Sequence, residues 1–249
     1  MIPFIIHQIW IQGYDKIPNN LKLYHDSCRI INNNFKYMFW DDKKITKLLL
    51  EHFDKEYYEL YNLYTLPAQK ADLARYVIIY IYGGIYLDID IICRKNLMMF
   101  LNYDFFFTTD VFYDLYKRYL TGIIGAKQKH PIFLIIIKNM LIRKKYAYYY
   151  VAYSSGTQLF YDSVEEYRKQ TNDNNITIVD RKYLHPCSIL DNELCAYTCD
   201  DCYVAHVNYS SWSPSLRIFK NIMKHIKIII LAILIIIVIM ITKFKFKWF

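Results

Sequence analysis

Residues 67–93, PAQKADLARYVIIYIYGGIYLDIDIIC, constrain the fold more than any other part of the chain. Ala68, Ala71, Ala74, Val77, Ile78 and Ile81 recur at spacings of three and four, which predicts a helix. Pro67 at its first turn and Gly83 just past its end are the usual punctuation of such a helix. After Gly83-Gly84, the residues Ile85, Tyr86, Leu87, Ile89, Ile91 and Ile92 read as a buried strand. A helix turned by two glycines straight into a buried strand is a building unit of α/β folds. Asp88 and Asp90 lie inside that apolar run. Burying an unpaired carboxylate is costly, so such a group is normally paired, metal-bound or neutralised. In an extended strand, residues i and i+2 face the same side, about 6.5–7 Å apart. The end of a strand in an open α/β sheet is also where ligands bind. Two carboxylates there can hold Mg2+ or Mn2+ and leave positions for phosphate oxygens.

The flanking sequence continues the α/β rhythm. PFIIHQIWI predicts a first buried strand, ended by Gly13, and FKYMFW a second. Helices are expected in the stretch that includes NNLKLYHDSCRII and in DDKKITKLLLEHF, where Asp41 and Asp42 are placed to cap free amides. LTGIIGAKQKHPIF reads as strand, turn and helix start, SSGTQLFYDSVEEY as loop and helix, and ITIVD as a short strand. DCYVAHVNYSSWSP reads as a strand entering a polar, aromatic loop. Asp72 and Arg75 are spaced i, i+3 and share a helix face; on an arbitrary helix that pattern is a surface salt bridge.

The net charge of +8 raises nucleic acid as a partner, but its distribution excludes it. Seven of the 31 basic residues fall between Arg217 and Lys247, where there is no acid, and the other 24 face 23 acids. The basicity therefore belongs to the C-terminal segment. There, residues 228–241 are uninterruptedly apolar, with Lys224 and Lys227 before them and TKFKFKWF after. Lysines and aromatic residues at both ends suit the two faces of a membrane, and a soluble helix would show a polar stripe. Residues 214–249 are accordingly expected to form a membrane anchor, and residues 1–213 the globular domain. A single terminal anchor would leave that domain on the cytosolic side of an endomembrane. The cysteines Cys195, Cys199 and Cys202 could bind zinc with Cys187 or His206, form disulfides, or stay free.

Four stretches together resemble the metal-dependent Asp-x-Asp glycosyltransferases of family 32, which include yeast mannosyltransferases and capsular polysaccharide enzymes. The glucosylating clostridial toxins share related motifs. The stretches are IPFIIHQIWIQG, AQKADLARYVIIYIYGGIYLDIDI, GIIGAKQKHPIF and AHVNYSSW. The resemblance implies a GT-A-like α/β fold with a mostly parallel central sheet, Mn2+ or Mg2+ as cofactor, and transfer of a hexose, with retention, from GDP-mannose or a UDP-hexose to a glycan or glycolipid. It places Ile9 and Trp10 in the nucleotide loop, with Trp10 stacked on the base. It assigns Asp72 to the donor sugar hydroxyls, Arg75 to the sugar and diphosphate, and Asp88 to the ribose and metal. Asp90 would bind the metal directly, His206 would be a further ligand, and Asn208, Ser210 and Trp212 would close the metal and phosphate site. Ser210 stands where the family often has Gly, and Ser155-Gly156-Thr157 replaces Thr-Gly-Pro near the acceptor. A catalytically silent, membrane-tethered binding protein is the alternative. The presence of all four charged residues, Asp72, Arg75, Asp88 and Asp90, argues against it.

Overall fold

The structure is a computed structural model. It describes residues 1–110 and all of 115–207 except 116, 149, 172, 174, 189, 190, 192 and 193; beyond these it describes Tyr209 and residues 218, 222, 225, 226, 229–231 and 233–237. The chain divides into two compact units, Met1–Asn208 and Tyr209–Phe249.

In the first unit, β1 (Ile5–Ile9), α1 (Asn19–Ile31), β2 (Lys36–Trp40), α2 (Asp42–His52), α3 (Lys55–Leu63) and α4 (Pro67–Tyr82) lead to β3 (Gly84–Leu87) and β4 (Ile91–Cys93). There follow β5 (Phe105–Thr108), β6 (Ile123–Ala126), α5 (Ile132–Ile142), α6 (Val151–Ser154), α7 (Thr157–Thr171), β7 (Ile176–Val179), α8 (Arg181–Leu184), α9 (Leu194–Thr198) and β8 (Val204–His206). Six strands form one sheet in the order β2-β1-β3-β6-β5-β7. The pairs β1–β2, β1–β3 and β5–β7 are parallel, and β6 runs antiparallel to both its neighbours. The fold is mixed α/β with a mostly parallel central sheet.

The period of two along each strand divides the core. Ile9, Tyr86, Phe105, Phe107 and Ile124 face a layer built from α2–α5 and α7. Ile6, Ile85, Leu87, Phe106 and Ile123 face the opposite layer, which holds Cys28 of α1, Phe100, Leu101 and Val204. The expected helix starts and stops are realised. The Asp41 side chain accepts the Lys44 amide at 2.9 Å, and α4 opens at Pro67 and ends on Gly83 at φ +63°. Gly84 follows at φ +102°, where a Cβ would lie 2.7 Å from the Ile5 carbonyl oxygen. Only glycine makes that turn beneath β1.

One expectation changes, and one open alternative is decided. Asp88 and Asp90 are not in one extended strand: β3 ends at Leu87, and the chain turns through residues 88–90, with the Ile91 amide reaching the Asp88 carbonyl at 3.2 Å. The chain thereby leaves the main sheet for a two-stranded one, β4–β8. The turn holds the partly buried carboxylates at the C-terminal end of β3, whereas a continuous strand would have aimed both into the layer that Tyr86 faces. The cysteines do not form a zinc site. Cys28–Cys93, Cys187–Cys195 and Cys199–Cys202 are joined as disulfides, which uses all six cysteines. Among the described residues, no helix is long and apolar enough to cross a membrane. The expected span 228–241 lies partly outside them; its described members, 229–231 and 233–237, are helical and exposed.

Candidate active site

The middle of α4, the β3–β4 turn, the segment leading into β6 and the end of β8 converge on one set of charged groups. Asp72 and Arg75 lie on the inner face of α4 and are each 5% exposed, so the pair is not a surface salt bridge. The Arg75 Nη2 is 3.1 Å from Asp72 Oδ1 and 3.4 Å from Asp88 Oδ1, and thus links the two acids. Its Nη1 donates to the Thr121 carbonyl at 2.6 Å, and its guanidinium lies 4.6 Å from the Tyr86 ring centre. Asp72 Oδ2 accepts from the Ser155 hydroxyl at 2.7 Å. Burial pushes the Asp72 carboxyl up to about 6 against the pull of Arg75 and Ser155.

Asp88 is fixed on all sides. Its Oδ1 accepts from the Tyr86 hydroxyl at 2.6 Å. Its amide donates to the Gly122 carbonyl at 2.8 Å, and its carbonyl accepts from Gln8 Nε2 at 3.1 Å. Burial opposes its charge, but Arg75 and His206 outweigh burial and hold the carboxyl at about 2.

The antiparallel register of β4 and β8 sets Ile91 opposite His206, which brings the imidazole beside the turn. His206 Nε2 lies 3.2 Å from Asp90 Oδ1 and 3.5 Å from Asp88 Oδ2. Burial again disfavours charge there, and the Asp90 and Asp88 carboxylates overcome it, raising His206 to about 10. Asp88, Asp90 and His206 each offer a ligand atom, all within 4.8 Å of one another. Two carboxylate oxygens and one imidazole nitrogen suit a hard or borderline divalent ion of the Mn2+ or Mg2+ kind. A Cβ at Gly122 would stand 3.0 Å from Asp88 Oδ2 and 3.2 Å from His206 Cδ2, so glycine leaves the space this cluster occupies. The residues present therefore fit a cation.

Of the other expected residues, Ile9 is 4% exposed and packs in the helical core layer. Trp10, one residue beyond β1, is half-buried, and its indole N–H has no hydrogen-bond partner among the described residues. Asn208, Ser210 and Trp212 lie outside the described residues. Residues the sequence did not mark also enter the site: Gln8, Tyr86, Thr121 and Gly122. Near Asp72, the buried Tyr64 and Tyr76 hydroxyls and the Gln69 side-chain oxygen are likewise without partners. No periodicity or spacing marks Gln8, Thr121 and Gly122, because each meets the site through a contact far along the chain.

Residues 18–107 match the family described as the glycosyltransferase sugar-binding region containing DXD motif. Over 231 residues the chain is 50% identical to uncharacterized glycosyltransferase L373 of Acanthamoeba polyphaga mimivirus, covering 93% of this chain and 92% of that one. This chain belongs to the DXD glycosyltransferases. The glycosyltransferase is also 28% identical over 158 residues to inositol phosphoceramide mannosyltransferase 3 of Schizosaccharomyces pombe, and it spans 42% of that protein's length. In fold, the glycosyltransferase is similar to the solved PaToxG glycosyltransferase, with a TM-score of 0.54 at 16% identity over 69% of this chain and 70% of that one.

Proposed function

We propose that this glycosyltransferase moves a hexose from a nucleotide-sugar to a glycan or lipid acceptor with retention of configuration, and that a divalent cation assists. The observation that carries this is the contiguity of the Asp88, Asp90 and His206 ligand atoms with the buried Asp72–Arg75 pair. Asp88, Asp90 and His206 would hold the cation. When bound, Mn2+ or Mg2+ offsets the charge of the diphosphate leaving group.

The chain's own groups supply the rest. Trp10, half-buried at the end of β1, offers a ring face to the nucleotide base and an indole N–H in need of an acceptor. Arg75 presents a guanidinium already ordered by Asp72, Asp88 and Thr121, so little freedom is lost when phosphate oxygens approach. Both Asp72 oxygens are engaged, one by Arg75 and one by Ser155. Asp72 therefore acts as a fixed acceptor for donor sugar hydroxyls. The unpartnered Tyr64 and Tyr76 hydroxyls are within its electrostatic reach and extend the polar wall around the sugar. Asn208, Ser210 and Trp212 would complete the phosphate side.

The donor is proposed to be GDP-mannose or a UDP-hexose. The mannosyltransferase names among the relatives favour mannose and an inositol phosphoceramide-like acceptor. Residues 214–249 are proposed to anchor the protein in an endomembrane. Calorimetry with a panel of nucleotide-sugars, with and without Mn2+, tests the donor assignment. Cation-dependent binding and slow hydrolysis of one donor is the expected result, and binding of none would overturn it. Truncation after Pro214 tests the anchor: the shortened chain should be soluble and still hydrolyse donor while transfer to a membrane acceptor falls. Unfolding or aggregation of the shortened chain counts against the anchor.

A further inference from the structure

Residues 131–161 contain no acidic side chain and four basic ones, Lys138, Arg143, Lys144 and Lys145. Arg143 is committed to the fold through Asp162 at 2.8 Å and the Tyr153 carbonyl. The three lysines are exposed. On α5, Leu134, Lys138 and Ile142 are spaced by four and form one exposed stripe. The stripe runs on into the short turn Lys144–Tyr146 and then to Tyr148 and Tyr150, which are exposed as well. We propose that this face of α5 and the following tyrosine-rich segment is a docking surface for a membrane rich in anionic lipid headgroups, beside the mouth of the active site.

The composition of the face selects that occupant. A sugar-stacking platform uses aromatic faces and polar groups, and gains nothing from exposed Leu134 and Ile142. A nucleic acid gains nothing from them either. A bilayer interface takes all three kinds of side chain: aliphatic groups enter the acyl boundary, tyrosines sit at headgroup depth with their hydroxyls in water, and lysines reach anionic phosphates. The segment carries no acid of its own, and the acids of α7 that flank it are engaged, Asp162 by Arg143 and Glu166 by Asn139.

The position also matches a membrane-borne acceptor. Ala147, between exposed Tyr146 and Tyr148, accepts at its carbonyl from Gln69 of α4 at 2.6 Å. Ser155, just beyond α6, donates to Asp72. The face is thus bonded directly to the helix that carries Asp72 and Arg75. Docking there brings the site to the lipid surface independently of residues 214–249. This consequence rests on the transfer reading; the surface itself does not.

Lysine acetylation of the full chain, read residue by residue by mass spectrometry, tests the proposal on vesicles of phosphatidylcholine with and without phosphatidylserine. Lys138, Lys144 and Lys145 should be protected at least about threefold more on the anionic vesicles, and less so at high salt. Lys47 and Lys55, whose side chains are 74% and 84% exposed on α2 and α3, should react equally on both. The double variant Lys144→Glu, Lys145→Glu should lose the protection and slow transfer to a vesicle-borne acceptor, with donor hydrolysis unchanged. Equal acetylation on both vesicles overturns the proposal, as does protection by an RNA or an acidic protein but not by vesicles. The footprint needs no donor, so its failure leaves the transfer reading intact. Absent donor hydrolysis in the unaltered chain would remove that reading and leave the footprint.

Discussion

At the scale of single residues, the site is a charge network in which each member depends on the next. Arg75 touches Asp72 and Asp88, and Asp88 and Asp90 share His206. Removing one charge while keeping the shape isolates its role. Asp90→Asn should leave the circular dichroism spectrum unchanged but weaken Mn2+ binding and donor hydrolysis by on the order of 100-fold. Ordinary turnover of this variant at limiting Mn2+ would remove the cation from the mechanism. Gly122 tests space in place of charge. Its substitution by alanine puts a Cβ 3.0 Å from Asp88 Oδ2 and 3.2 Å from a His206 ring carbon, so the ligand atoms must shift. Gly122→Ala should raise the Mn2+ concentration needed for half-maximal hydrolysis by about tenfold with little change in melting. A loss of melting temperature with unaltered cation affinity would make Gly122 a packing residue only.

At the scale of elements, the decisive device is the passage from α4 through Gly83-Gly84 into β3, then through the acidic turn into β4. The first turn is locked by His7. Its Nδ1 accepts from the Trp40 indole at 3.1 Å, which leaves Nε2–H to donate to the Gly83 carbonyl at 2.8 Å. Gly84→Ala would force a side chain onto φ +102° and against the Ile5 carbonyl. It should destabilise the fold by about 2–3 kcal/mol and lower the melting midpoint by roughly 5–10 °C. Calorimetric melting checks this, and an unshifted midpoint would mean that the turn relaxes freely. The second passage moves the chain to a small sheet, and the β4–β8 register carries His206 to the acids. The disulfide Cys28–Cys93 joins α1 to the end of β4, directly behind that register.

At the scale of the whole molecule, the proton balance of folding below about pH 6.5 is set mainly by buried neutral histidines, since His206, raised to about 10, is protonated there in the folded and unfolded chain alike. Burial lowers His7 and His130 to about 4 and His185 to about 3. In the unfolded chain each takes a proton near pH 6.5, and in the folded one not until well below. Between those values the unfolded state binds more protons, so stability falls as pH drops from about 6.5 towards 4, by on the order of 3 kcal/mol per histidine. Asp72 works the other way, because its folded carboxyl takes its proton at about 6, before the unfolded one does. One carboxyl does not offset three histidines. Urea midpoints measured in chelator should therefore be clearly lower at pH 4.5 than at pH 7, and equal midpoints would contradict the burial of these imidazoles as neutral groups.

Much of this was legible along the chain. The helix from Pro67, the glycine turn, the strand after it and the candidate acids all follow from patterns within thirty residues, where periodicity and backbone preference act locally. The residue set Asp72, Arg75, Asp88, Asp90 and His206 was named from the sequence, and the fold brings these side chains into one network. Other features needed the folded chain. The break of the apparent strand at Leu87, the packing of Gly122 against Asp88, and the partnership of Ser155 with Asp72 depend on residues 34 to 83 positions apart. The same holds for the pairing of Cys28 with Cys93. Local propensity specifies which segments become helix and strand. Which carboxylate receives a guanidinium, an imidazole or a hydroxyl is decided only when packing removes water and leaves each buried charge to find its partner across the core.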